Sequence, residues 1–407
     1  MKVIHINQSD AKGGAAIAAY RVHRSVLDQG ICSEMWVDRK YSDDATVKEK
    51  LNLFERVARK LFSRLSKVLI RSAGIKQIGY CNLGIFGSPW IKYLNASDAD
   101  VVHLHWLGNE IISIKQLRKI EKPCVVTLHD EWLLGNGFHI PQIPNSMKID
   151  SRVSNFLFGY TRKARIRNHN KNLGLVAPSR FMGKIVRAHP LFKDNRMKVI
   201  GHPIALPEWK PKPKSEAKND LGIPSEKFVI LYSCFGGVED ANKGFDDFCA
   251  AVRLFSESNS ELALQVMLMG HFKESDVKEI RPPTMLVGAP EGKAELIDIY
   301  SASDVVLIPS KYESFGLVAQ EVCALGIPLV AYEGTGLSDF VHHKINGYLA
   351  HRGRIDELVA GLEFWNRTKG SLSGMSSVRD LMEDYSPSSV SNLYVDFYKE
   401  LISETIN

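Results

Sequence analysis

Short apolar runs rich in valine, isoleucine and leucine alternate along the chain with longer stretches whose apolar positions recur every three or four residues. The first pattern is that of a strand buried on both faces, and the second that of an amphipathic helix. Runs at residues 2–6, 33–37, 101–105, 124–128, 173–177 and 197–200 predict strands in the first half; runs at 228–233, 264–269, 284–287, 305–309 and 328–332 predict strands in the second. Alternation of strand and helix predicts parallel sheets covered by helices. Between the two sets, residues 203–213 hold four prolines in eleven positions, an extended and semi-rigid connector. The expectation is an α/β fold of two doubly wound, Rossmann-like domains, 1–203 and 204–385, with ligands at the carboxyl ends of the strands in an interdomain cleft.

Composition adds little to that picture. With 44% hydrophobic and 24% charged residues over 407 positions, the chain reads as an ordinary folded protein, not a disordered, collagenous or staple-dependent one. The six cysteines are far apart and match no metal knuckle or redox pair. No apolar run approaches the ~20 residues of a membrane span, and residues 1–9 lack the apolar core of a signal peptide, so a cytoplasmic location is expected.

Charge matters through its placement. The net charge is only +6, yet residues 56–76 carry seven basic residues and no acid. Arg56, Lys60, Arg64, Lys67 and Arg71 share one helical face, with Val57, Leu61, Leu65 and Val68 on a neighbouring one. Two readings stay open: a solvated helix packed on the first domain, or an interfacial helix on an anionic membrane near an approaching acceptor. Nucleic acid is not expected, because no recognition motif accompanies the charge.

The densest chemistry lies at residues 305–347. A buried strand ends at Ser310, and Ser314-Phe315-Gly316-Leu317 opens a helix that stops at Gly326-Ile327-Pro328. A glycine-containing turn into a helix points free backbone N–H groups at a phosphate. Glu313 precedes the turn, and Glu321 lies one helical turn beyond Leu317 on the same face. Carboxylates on both sides of an anion cradle suit a nucleotide sugar: the diphosphate needs N–H donors, and the ribose and hexose hydroxyls need acceptors.

The block P-S-x-x-E-S-F-G-L-x-x-x-E at residues 309–321, followed by A-L-G-I-P-L-V-A, resembles the E-x7-E donor motif of family 4 retaining glycosyltransferases of the GT-B fold. Other landmarks resemble the family in order. Gly13 and Gly14 look like the glycine loop under the donor, Thr127-Leu128-His129-Asp130 like the strand-end histidine, Ala177-Pro178-Ser179 like the first-domain "PS", and Asn242-Lys243-Gly244 like the phosphate-binding lysine. Residues 386–407 resemble the terminal helix that crosses back to the first domain.

The resemblance implies transfer of a hexosyl unit from a nucleoside diphosphate sugar to a glycan or polyprenyl-linked glycan in bacterial cell-surface polysaccharide synthesis, such as lipopolysaccharide or capsule, with no metal or other cofactor. It implies that Glu321 holds the ribose and Glu313 the sugar. Lys243 with Ser314 and the Phe315, Gly316 and Leu317 amides would hold the diphosphate, and His129 would sit near the reaction centre. One departure is that family members often carry an Arg shortly before the Lys, where this chain reads Cys234-Phe235-Gly236-Gly237-Val238-Glu239. Three rivals remain: a GT-B nucleotide-sugar epimerase, a non-catalytic nucleotide-sugar binding protein, and a metal hydrolase built on His103, His105 and His129.

Overall fold

The computed structural model describes residues 1–75, 81–135, 137–140, 152–170, 172–278, 280–368 and 381–406, so Lys76 lies outside the described residues. The chain divides into two compact units, Met1–Pro203 with Pro387–Asn407, and Ile204–Ser386.

The first unit is built on β1 (Lys2–Ser9), β2 (Cys32–Arg39), β3 (Val47–Glu49), β4 (Val101–Leu104), β5 (Cys124–Thr127), β6 (Gly174–Ala177) and β7 (Met197–Val199). Its helices include α1 (Gly14–Asp28), α2 (Leu53–Ser72), α3 (Arg152–Arg167) and, at the far end of the chain, α6 (Pro387–Ile406). All strand pairs are parallel, in the order β3-β2-β1-β4-β5-β6-β7. The order reverses between β1 and β4, the switch point at which a doubly wound sheet opens a crevice. Val390, Tyr394, Phe397, Tyr398 and Leu401 of α6 pack with Val3, Val22, Val101, Val125 and Val176 in one core. Gly174 makes room for that helix, since a Cβ there would come within 2.6 Å of Leu401.

The second unit carries β8 (Phe228–Cys234), β9 (Leu264–Gly270), β10 (Thr284–Gly288), β11 (Val305–Ile308), β12 (Leu329–Tyr332) and β13 (Gly347–Ala350), with α4 (Phe245–Ser258) and α5 (Leu317–Ala324). The parallel order β10-β9-β8-β11-β12-β13 reverses between β8 and β11. The patterned strands are thus present. The structure adds β3 and β13, short edge strands of three and four residues.

Helix α2 departs from the usual amphipathic rule. Its inner side is Arg59, Ser63, Ser66 and Ile70, while Leu53 (77% exposed), Phe54 (81%), Val57, Leu61, Leu65 and Val68 face outward. The inward polar groups are matched: the Arg59 guanidinium donates to both Asp38 oxygens at 2.8 and 2.5 Å and to the Asn109 carbonyl at 2.8 Å. Ser66 donates to the buried Glu110 carboxylate at 2.9 Å. A capping box between Asn52 and Glu55 fixes the helix start. Of the patterned cations, Arg56 pairs with Glu49 at 2.5 Å, and Lys60, Arg64, Lys67 and Arg71 are exposed.

Candidate active site

In the second unit the two loops at the switch point converge. Lys243, in the loop after β8, meets Glu313, in the loop after β11, with Nζ to Oε1 at 2.6 Å. The loops are tied by two further hydrogen bonds: the Asn242 side-chain amide donates to the Tyr312 carbonyl (2.9 Å), and the Lys311 N–H to the Asn242 carbonyl (2.8 Å). Gly244 adopts φ +69°, and a Cβ there would lie 2.2 Å from the Pro309 carbonyl oxygen, so only glycine lets the loops approach. Burial alone would pull the Lys243 ammonium below the usual lysine range. The Glu313 carboxylate overrides this and holds it above that range, so it stays a cation.

The helix opening is equally constrained. Gly316 (φ +98°) precedes α5, and the Phe315 ring is buried against Phe340 and Tyr385 with centroids 5.3 and 5.7 Å away. The first-turn amides of α5 have no partner within the helix and form a natural anion cradle. Glu321, one turn in and 6% exposed, accepts from Tyr300 Oη at 3.3 Å. A Cβ at Gly316 would meet Leu337 Cδ2 at 2.1 Å in a backbone conformation that L residues avoid. Gly316→Ala should therefore shift the cradle and weaken nucleoside diphosphate binding by about tenfold or more, while far-UV circular dichroism stays native; unaltered affinity would refute this geometry.

The remaining motif residues belong to the first unit. Gly13 (φ +93°) closes the loop after β1 and caps α1, which Gly14 begins. His129, at the end of β5, belongs to a row of imidazoles at the β1/β4 switch point. His5 Nδ1 lies 3.0 Å from His105 Nε2, and His105 Nδ1 lies 3.1 Å from His129 Nε2. His103, register partner of His5, sits between the Tyr398 and Thr127 hydroxyls, 2.7 Å from each.

Neutral imidazoles carry one N–H each, so the row can be protonated in two directions. His5 Nε2 is buried without a partner. An orphaned N–H costs more than an orphaned lone pair, so the favoured direction has His5 donating to His105 and His105 to His129, leaving the His129 proton on Nδ1. Burial pushes His5, His103, His105 and His202 well below the ordinary imidazole range and His129 down to about 4. Ring nitrogens of His5, His103 and His105 gather within 4.8 Å of one another. Those of His103 and His105 are engaged in hydrogen bonds.

Sequence reasoning missed two features here. Asp130 turns to His139, accepting from Nδ1 at 2.7 Å, and does not hydrogen-bond the adjacent His129; it also accepts the Trp132 N–H at 2.8 Å. Despite burial, these contacts hold Asp130 below the usual carboxylate range. His5 completes the imidazole row, and its alternation with Ile4 and Ile6 on a central strand was the available signal. Where the family Arg is absent, Phe235 is exposed and lies edge-on to His271, with centroids 4.7 Å apart.

Residues 213–373 match the family model for glycosyl transferases group 1. A 41.2 kDa protein of the cps region of Klebsiella pneumoniae is 23% identical over 98% of this chain and 99% of its own length. D-inositol 3-phosphate glycosyltransferase of Rhodococcus jostii is 27% identical over 45% of this chain, and the match spans 42% of that protein. Among solved structures, Anabaena HepE in complex with UDP and glucose superposes with a TM-score of 0.65 at 16% identity, covering 98% of this chain and all of that one. The chain thus has the GT-B fold, and its residues 213–373 match a glycosyl transferases group 1 domain.

Proposed function

We propose that the protein transfers a hexosyl unit, with retention of anomeric configuration, from a nucleoside diphosphate sugar to a glycan or lipid-linked glycan of the bacterial cell surface. The Lys243–Glu313 pair beside the α5 cradle carries this reading. As the glycosidic bond breaks, charge collects on the departing diphosphate while the sugar becomes oxocarbenium-like. A fixed ammonium and preorganised amides stabilise that charge in the transition state and require no metal. Glu313 orients the ammonium and has a second oxygen for a sugar hydroxyl; Glu321 accepts from the ribose. His129, with its pKa near 4, meets the sugar as a neutral hydrogen-bonding group at physiological pH. The UDP and glucose in HepE support a nucleotide-sugar donor, and the cps-region relative supports a polysaccharide context.

Thermal shift with a panel of nucleoside diphosphates, followed by incubation of the matching nucleotide sugar with and without lipid-linked glycan, tests the assignment. Acceptor-dependent release of nucleoside diphosphate, unaffected by chelator, is expected. An epimerised nucleotide sugar formed without acceptor, or binding with no release on any acceptor, would overturn it. Glu321→Ala should raise the donor KM by about 10- to 100-fold, the worth of a hydrogen bond to a charged group.

No described helix is long and apolar enough to cross a membrane. Helix α2, basic with outward apolar residues, is proposed as the contact with the inner face of the cell membrane, making the enzyme a peripheral cytoplasmic one. Vesicles of anionic lipid should retain the protein at low salt and release it at high salt, and neutral vesicles should not retain it. Equal behaviour toward both would remove the membrane from the proposal.

A further inference from the structure

We propose that the first unit holds a binding site for the phosphate of a lipid-borne acceptor, formed by Lys12, Arg39 and Lys60; this rests on reading that unit as the acceptor side. Lys12 comes from the loop after β1, Arg39 ends β2, and Lys60 lies on α2. All three line one cavity of about 590 Å³ at the carboxyl edge of the sheet.

The cavity's acids are already committed. Asp38 is held by Arg59, and Glu49 by Arg56 and the Lys40 N–H. Nearby Asp10 accepts the Tyr41 and Ser42 N–H groups at 2.8 Å each. Lys12, Arg39 and Lys60 form no ion pair with any described residue. Lys12 Nζ and the Arg39 guanidinium carbon instead lie 4.4 and 5.1 Å from the Tyr41 ring centroid, which holds the two cations together. Three uncompensated cations around a polar recess suit a phosphate or diphosphate better than a neutral sugar.

The recess is not isolated. A second one, of about 280 Å³, shares Gln8, Ser9 and Lys12 with it and adds Gly13, Gly14 and Trp106. Trp106 also lines the recess that contains His129. The three recesses thus adjoin one another along the strand ends, with Trp106 between the one that contains His129, where the accepting hydroxyl would be placed, and the one that shares Lys12 with the cation site. Beyond the cations, on α2, Val57 and Leu61 directly follow Arg56 and Lys60 and join Leu53 and Phe54 in facing outward. An isoprenoid chain leaving the phosphate would meet that surface, which argues for a lipid phosphate over a free sugar phosphate.

Titration calorimetry on the full chain, with nucleoside diphosphate present to fill the donor site, tests this with farnesyl diphosphate, inorganic diphosphate and farnesol as probes. Farnesyl diphosphate should bind at least tenfold more tightly than inorganic diphosphate, and farnesol should not bind measurably. Arg39→Ala/Lys60→Ala should weaken farnesyl diphosphate at least tenfold and leave nucleoside diphosphate affinity unchanged, and Arg39→Lys/Lys60→Arg should restore most of the loss. Undiminished farnesyl diphosphate binding by the alanine pair would overturn the site, and equal affinity for inorganic diphosphate would overturn the lipid source. Failure of nucleoside diphosphate to bind the wild-type chain would count against the donor reading alone.

Discussion

Lys243→Ala is expected to lower kcat by about 10²- to 10³-fold while raising the donor KM much less, because its charge is needed most when the diphosphate departs. The substitution has a second consequence. Glu313 would lose its cation 2.6 Å away and be left as an uncompensated carboxylate facing an anionic substrate. Lys243→Ala/Glu313→Gln should therefore recover part of the loss in donor binding but none of the loss in kcat. Steady-state kinetics of the two single variants and the double variant give this coupling directly. If Lys243→Ala raised KM and left kcat intact, the lysine would be a ground-state binding group and the leaving-group argument would fail.

Acid should unfold the first unit well before the second. His5, His23, His103, His105, His129 and His202 are all in the first unit, and burial lowers every one of them; His23 and His129 fall to about 4. In the unfolded chain each titrates near 6.5. Above pH 6.5 both states are neutral at these positions and stability is unaffected. Below it the unfolded state takes up protons that the folded state refuses, so stability falls as pH drops from 6.5 toward 4.

Each ring contributes about 1.4 kcal/mol per pH unit within that window. Even at half that figure for coupling between neighbours, six rings remove several kcal/mol per unit, comparable with the ~5–15 kcal/mol stability of a domain. Urea titrations between pH 7.5 and 5 should split into two transitions, the first moving steeply to lower urea as pH falls. A single transition with a pH-independent midpoint would refute this.

The strands were legible because each central one is buried on both faces and therefore spells an unbroken apolar run. Strands β3, Val-Lys-Glu, and β13 escaped because short edge strands need no such run. The donor motif was readable because Gly316, Glu313 and Glu321 lie within nine residues. The ion pair between Glu313 and Lys243 was not, since the two are 70 residues apart and only the switch-point topology joins them. Helix α2 shows a different limit. Periodicity separates its basic, apolar and polar faces but says nothing of which turns inward, and here Asp38 and Glu110 select the polar one.

The return of α6 to the first unit also has a consequence for synthesis. Tyr398 and Tyr394 hydrogen-bond His103 and Thr127 within the core of that unit. During translation, residues 1–203 emerge with this groove unfilled, and all of residues 204–386 must follow before the helix that seals it leaves the ribosome. The second unit is thus free to fold cotranslationally, while the first waits with Val3, Val101 and Val176 partly uncovered. The unit begun first is completed last.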